Sequence, residues 1–211
     1  MINKDFIKET KKSDWGFGNN ILYKMCRENF KHEETDKIIG KVILIGRAYA
    51  AAIERRKNKA EDNDVFYVEK VAPKFRNSKL DNLLRELKKE KEITENNIPK
   101  ILNVHFYLTA LIKELTKQDK RSFSSKYLHF HLPHLFFIYD TRAVKAIGKL
   151  NVKYQYQYRD EINSNMVDKD YASFYYKCFA QKNKFEAAFK MKITARHFDT
   201  ILMKIVELEG N

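Results

Sequence analysis

"SKYLHFHLPHLFFIYDTRAVKAI", residues 125–147, carries the pattern that decides the fold. It starts as a helix holding a lysine and histidines, and Leu132-Pro133 stops that helix, because a proline forces the residue before it out of helical geometry. The chain then crosses through Leu135-Phe136-Phe137-Ile138-Tyr139 to Asp140. From there "DTRAVKAIGKL" reads as a second helix, ended near Gly148 or Leu150. Asp140 is a good helix cap. It is also a carboxylate delivered by the most hydrophobic segment of the chain, so a chemical role stands beside the capping one.

The composition around this stretch favours helices. Of 211 residues, 44% are hydrophobic and 13% aromatic, enough for a chain of this length to bury about 70% of its unfolded surface. Only 6 glycines and 3 prolines occur, too few for an all-β architecture with its many turns. The expectation is an all-α protein of eight to ten helices with at most a minor strand pair, in residues 63–71 or 152–159. It forms a single compact domain over residues 1–211, with two helical lobes as the alternative and a cleft near residues 120–142.

Lys and Arg number 41 against 28 acids, a formal charge of +13, which draws polyanions and makes nucleic acid the first partner to consider. The two cysteines, Cys26 and Cys178, sit in apolar helical settings and suit a reducing cytoplasm. They are too few for an iron–sulfur cluster. His129 and His131 fall on different faces of a helix and lack zinc spacing, so neither a metal nor another cofactor is expected. "MINKDFIKETKK" has no apolar core of a signal peptide, and no window reaches the length of a membrane span. Phosphate-loop, dinucleotide and nucleophile-elbow motifs are absent.

Several segments have readable ends. Ser13 or Asp14 is the expected cap of a helix over Ile21, Leu22, Met25 and Cys26. Thr35 is the expected cap of a central helix running towards Ile53, where Gly40 and Gly46 would permit close packing. "DVFYVEKVA" reads as a short strand or extended loop, and Leu80, Leu83, Leu84 and Leu87 mark an amphipathic helix. Pro99 fits the first turn of the next helix, after an asparagine cap. On it His105 reads as packed. "YQYQY" reads as a loop with a short extended piece.

The candidate chemistry gathers at residues 120–142. Lys120, Arg121 and Lys126 surround a serine-rich helix start, where Ser122 or Ser124 can cap, and backbone N–H groups with basic side chains make a phosphate site. A lysine and an aspartate together could form an imine with a sugar aldehyde while the carboxylate handles charge and protons. Arg142 and Lys145 on the following helix add nucleic-acid contacts. Trp15, Arg47, Tyr139 and His131 are pocket candidates.

This order of parts resembles the helix-hairpin-helix DNA glycosylases, including the endonuclease III and archaeal 8-oxoguanine glycosylase branches. "FFIYDTRAVKAI" is similar to the segment that carries the family's catalytic aspartate at a helix start, and the resemblance spans residues 97–150. It implies Asp140 as the catalytic carboxylate and Lys126, or alternatively Lys120, as the Schiff-base amine. It further implies a monomeric enzyme that flips a damaged or modified base out of double-stranded DNA and excises it. The departure is the hairpin: no glycine lies between Gly46 and Gly148, so the family's glycine-rich phosphate turn is altered or absent. The alternative function is a helical DNA- or RNA-binding protein without chemistry.

Overall fold

Helix α8, Arg121–His131, runs through the middle of the molecule, and nine of its eleven residues are buried. The computed structural model describes residues 2–11, 16–56, 61–153 and 158–208, apart from the side chains of Arg159 and Glu161. Around α8 stand α2 (Gly16–Glu28), α3 (Thr35–Ala48) and α7 (Ile98–Thr116), while α6 (Leu80–Leu87) packs on α7. On the far side α9 (Thr141–Lys149) lies against α11 (Lys169–Phe189) and α12 (Ala195–Glu207). Short α1 (Lys4–Glu9) opens the chain, and short α10 (Arg159–Asn163) packs on α11. The fold class is all-α, with no strand among the described residues.

Burying a helix as polar as α8 requires a partner for almost every side chain. Tyr127 donates to Nε2 of His32 at 2.7 Å, and His32 donates from Nδ1 to Asp81 at 2.5 Å. His129 donates to the Phe136 carbonyl and accepts from the Tyr23 hydroxyl, both at 2.7 Å. His131 donates to the Tyr127 carbonyl at 2.8 Å. Ser124 is the exception: its hydroxyl is buried without a partner.

The apolar crossing of residues 132–139 has no strand to pair with, yet it lies inside the core. Its carbonyls would be costly if left unsatisfied there. Tyrosines of α11 solve this: Tyr171 donates to the Phe137 carbonyl at 3.0 Å and Tyr175 to that of Leu135 at 2.6 Å. Ser125 accepts from the Tyr139 N–H at 2.9 Å. With Leu135, Phe136, Phe137 and Ile138 all buried, at about 1.5–3 kcal/mol each, the crossing is held rigidly and delivers Asp140 to a fixed place.

Four expectations need correction. The segment expected as strand or loop is helical: α4 (Asn63–Val65), a π-helical stretch (Phe66–Val71) and α5 (Ala72–Arg76) follow without a break. Phe66 and Tyr67 are buried together with Val71 and Ala72, a spacing of five that a π turn serves and an α turn does not. Helix α3 stops at Ala48, because Ala50 takes a left-handed conformation with φ 51°, and its cap is Glu34. Gly46 does allow close approach, since a Cβ there would meet the Ala52 Cα at 3.1 Å, but Gly40 faces open space. The cap of α8 is Lys120, so Ser122 and Ser124 lie within the helix. Ser13, Asp14 and the greater part of "YQYQY" fall outside the described residues.

Candidate active site at the Lys126–Asp140 pair

Two neighbouring helix positions bring the expected pair together. Lys126 sits on the buried face of α8, only 3% exposed, and the crossing returns Asp140 to its side. The Lys126 amine stands 3.7 Å from Asp140 Oδ2. It also donates to the Ser122 hydroxyl at 3.0 Å and the Tyr49 carbonyl at 3.2 Å. Burial pushes the lysine's pKa down, and Asp140 and Asp199 push it back. Asp140 uses its other oxygen to cap α9, accepting from the Ala143 N–H at 2.9 Å. One carboxylate thus does two jobs.

Asp140 of this pair lines a cleft of about 900 Å³ that α1, α2, α3, α9 and α12 enclose, while Lys126 is not part of its wall. Asp140 and Arg142 line it from α9, Tyr49 from the end of α3, and Asn19 from α2. The volume is in the range of ligand-binding clefts.

Helix α12 supplies the groups that sequence reasoning missed. Thr194 caps it, and the spacing of three puts Arg196 and Asp199 on one face. Arg196 binds Asp199 at 2.8 Å, and both line the cleft. Burial raises the Asp199 pKa to about 6, against the pull of Arg196, while nearby Asp140 raises it further. Burial likewise raises Tyr49 to about 12. The sequence signal was "TARHFDT", a capped helix with an Arg-x-x-Asp step, legible as a helix but silent about what it faces.

The remaining candidates divide. Lys120 turns away from Asp140 to donate to the Arg55 carbonyl at 2.6 Å, so of the two candidate amines only Lys126 meets the carboxylate. Arg121 is held by Asp168 at 2.6 Å and Asp170 at 2.9 Å, engaged by acids at the helix start where a phosphate was expected. Arg142 is exposed and pairs with Glu207 at 3.2 Å, and Lys145 is exposed on α9. Arg47 pairs with Glu54 at 3.0 Å and is not part of the cleft wall. Tyr139 packs edge-on against Phe174 with Arg121 over its ring, and His131 is enclosed near Lys41, so neither lines the cleft. Trp15 lies outside the described residues.

His105 is buried and stacked on Tyr171 with 3.5 Å between ring centres, a packed residue whose pKa burial lowers to about 4. Cys26 and Cys178 are buried free thiols. Among the described residues no cluster of three or more metal-ligating side chains occurs, and no helix is long and apolar enough to cross a membrane. A second hollow, about 830 Å³, has mainly aliphatic walls from Leu83, Leu87, Pro99, Leu102 and Val104. Comparison of this chain with protein-family models, curated proteins and solved structures finds no match.

Proposed function

We propose that the protein is a DNA glycosylase that extrudes a damaged or modified base into the Asp140 cleft and excises it, with lyase activity through Lys126. The observation that carries this reading is the buried Lys126 amine 3.7 Å from Asp140 beside a cleft large enough for a nucleobase. Burial favours the neutral amine, which is the nucleophile. A base inside a duplex cannot be reached, so extrusion at a few kcal/mol precedes the chemistry.

In the reaction the neutral Lys126 nitrogen attacks C1′ of the extruded nucleotide. The C1′–base bond breaks, and the base leaves with the bonding pair and takes up a proton. Asp140 offsets the positive charge that develops on the sugar and accepts the proton shed by the attacking amine. Ring opening gives an iminium between Lys126 and the sugar, and loss of a 2′ proton with departure of the 3′ phosphate nicks the strand. Arg142 on the cleft wall and exposed Lys145 further along α9, within a chain of +13, supply phosphate contacts.

The alternative is a helical nucleic-acid-binding protein in which Asp140 only caps α9, and the Ala143 N–H bond at 2.9 Å favours it. Borohydride trapping separates the two. Incubation of the protein with a duplex containing one abasic site, followed by reduction, should give a covalent protein–DNA adduct that Lys126→Ala lacks. No adduct with the parent protein rules out the lyase; base release without an adduct leaves a glycosylase that uses water, and neither adduct nor base release leaves binding alone.

A further inference from the structure

The cleft that Asp140 lines contains an unmet hydrogen-bond donor. Asn19 lines the cleft and is only 5% exposed. Its Oδ1 accepts from the Tyr49 hydroxyl at 2.5 Å, which fixes the amide, and its Nδ2 is buried with no partner. Such a donor costs about 1–3 kcal/mol unless something accepts from it. Arg196 and Asp199 line the same cleft, joined at 2.8 Å, and Arg196 also lies close to the Tyr49 hydroxyl. The residues lining one cleft therefore carry an unpartnered amide donor, guanidinium donors and a carboxylate acceptor. No residue of this set enters the proposed attack on C1′.

Building on that glycosylase reading, we infer that Asn19, Arg196 and Asp199 form the base-reading side of the cleft and select bases with a lactam edge, a ring carbonyl beside a ring N–H. The carbonyl takes the Asn19 amide or the Arg196 guanidinium, and the ring N–H donates to Asp199. Hypoxanthine and uracil present this edge. Adenine and cytosine present the reverse, an amino donor beside a bare ring nitrogen, which sets donor against donor and leaves the carboxylate facing a lone pair. A site built to hydrogen-bond one edge rejects the other strongly, because its own buried groups are then left unpaired.

The test compares base release from duplexes carrying hypoxanthine, adenine, uracil or cytosine at one position. Each base sits in the same mismatched context, so that unstacking costs are alike. The parent protein should release hypoxanthine and uracil at least about a hundredfold faster than adenine and cytosine. Asn19→Asp keeps the side chain's size and turns the unpartnered donor into an acceptor, and it should shrink that preference at least tenfold. Asn19→Ala should shrink it in the same direction, and a collapse of the ratio is not a result that loss of folded protein produces. Equal release of all four bases, or a preference that survives both substitutions, overturns the inference. So does release of none of the four by a parent protein that still gives the borohydride adduct on abasic DNA, which leaves the lyase reading standing. A parent protein that gives neither adduct nor base release fails the glycosylase reading itself.

Discussion

Two buried lysines, on neighbouring helices, differ in what stands beside the amine. Lys41 of α3 is fully buried, and its amine donates to the carbonyls of Asn29 at 2.6 Å and Lys31 at 3.0 Å, with His131 at 3.5 Å. Around it His32, Tyr127 and His131 close a hydrogen-bonded and stacked network, and Asp81 holds His32 from the outside. Burial lowers the Lys41 pKa to about 8. Neither Lys41 nor Lys126 is part of the cleft wall, but Asp140, 3.7 Å from the Lys126 amine, is. Lys126 of α8 is almost as buried, but a carboxylate stands beside it and a cleft opens next to that carboxylate. Burial depresses both amines, so burial alone does not separate them; a carboxylate that lines a cleft stands beside only Lys126.

The largest effect expected from breaking this contrast is chemical. Lys126→Ala should lower adduct formation on abasic DNA by at least about a thousandfold, while Lys41→Met should retain it in the fraction that folds. An adduct of parental strength from Lys126→Ala would dissolve the distinction between the two lysines. Asp140→Asn sharpens it further. Asparagine caps about as well as aspartate, so stability should change by less than about 1 kcal/mol while base release is lost. Parental base release by that variant would reduce Asp140 to a cap.

The two regions should also respond to pH with opposite signs. The folded-state pKa of Asp199 is raised from 3.8 to about 6, so the folded form holds its proton longer. Its contribution is fully present below about pH 4 and is lost as pH rises towards 6. Removing it with Asp199→Asn should flatten that fall, by roughly 1–3 kcal/mol in denaturant titrations across the window. His32 is lowered from 6.5 because burial disfavours its charged form. Its contribution is present above pH 6.5 and is lost as pH falls below it. His32→Gln should therefore lessen the acid loss of stability, and the same slope in parent and variant would remove His32 from the account.

Smaller effects concern how the network is packed. Lys41→Met leaves the Asn29 and Lys31 carbonyls without their donor and should cost about 1–3 kcal/mol in thermal or denaturant unfolding. Within the same helix, Gly46→Ala pushes a Cβ against the Ala52 backbone and should cost about 1–3 kcal/mol. Gly40→Ala meets nothing and should stabilise by roughly 0.5–1 kcal/mol. Equal effects at the two glycines would contradict the packing described for α3.

Local signals carried much of this molecule. Residue periodicity, the Pro133 stop and the Asp140 cap were enough to read the helical class, the end of α8, the start of α9 and the crossing between them, because caps and breakers act over three or four residues. The π-helical stretch at Phe66–Val71 escaped that logic. Its aromatic and β-branched residues favour strands, and only burial of pairs five apart selects the wider turn. The lysine and aspartate were readable as residue types fourteen positions apart, but not which lysine would arrive. The sequence by itself determined that a basic helix and an aspartate-capped helix flank an apolar crossing. Only the tertiary structure turned Lys126 inward to Asp140 and Lys120 outward to Arg55, and set Asn19, Tyr49, Arg196 and Asp199 around one cleft. Those groups come from opposite ends of the chain, and packing between distant helices, not local spacing, decides what meets in a core.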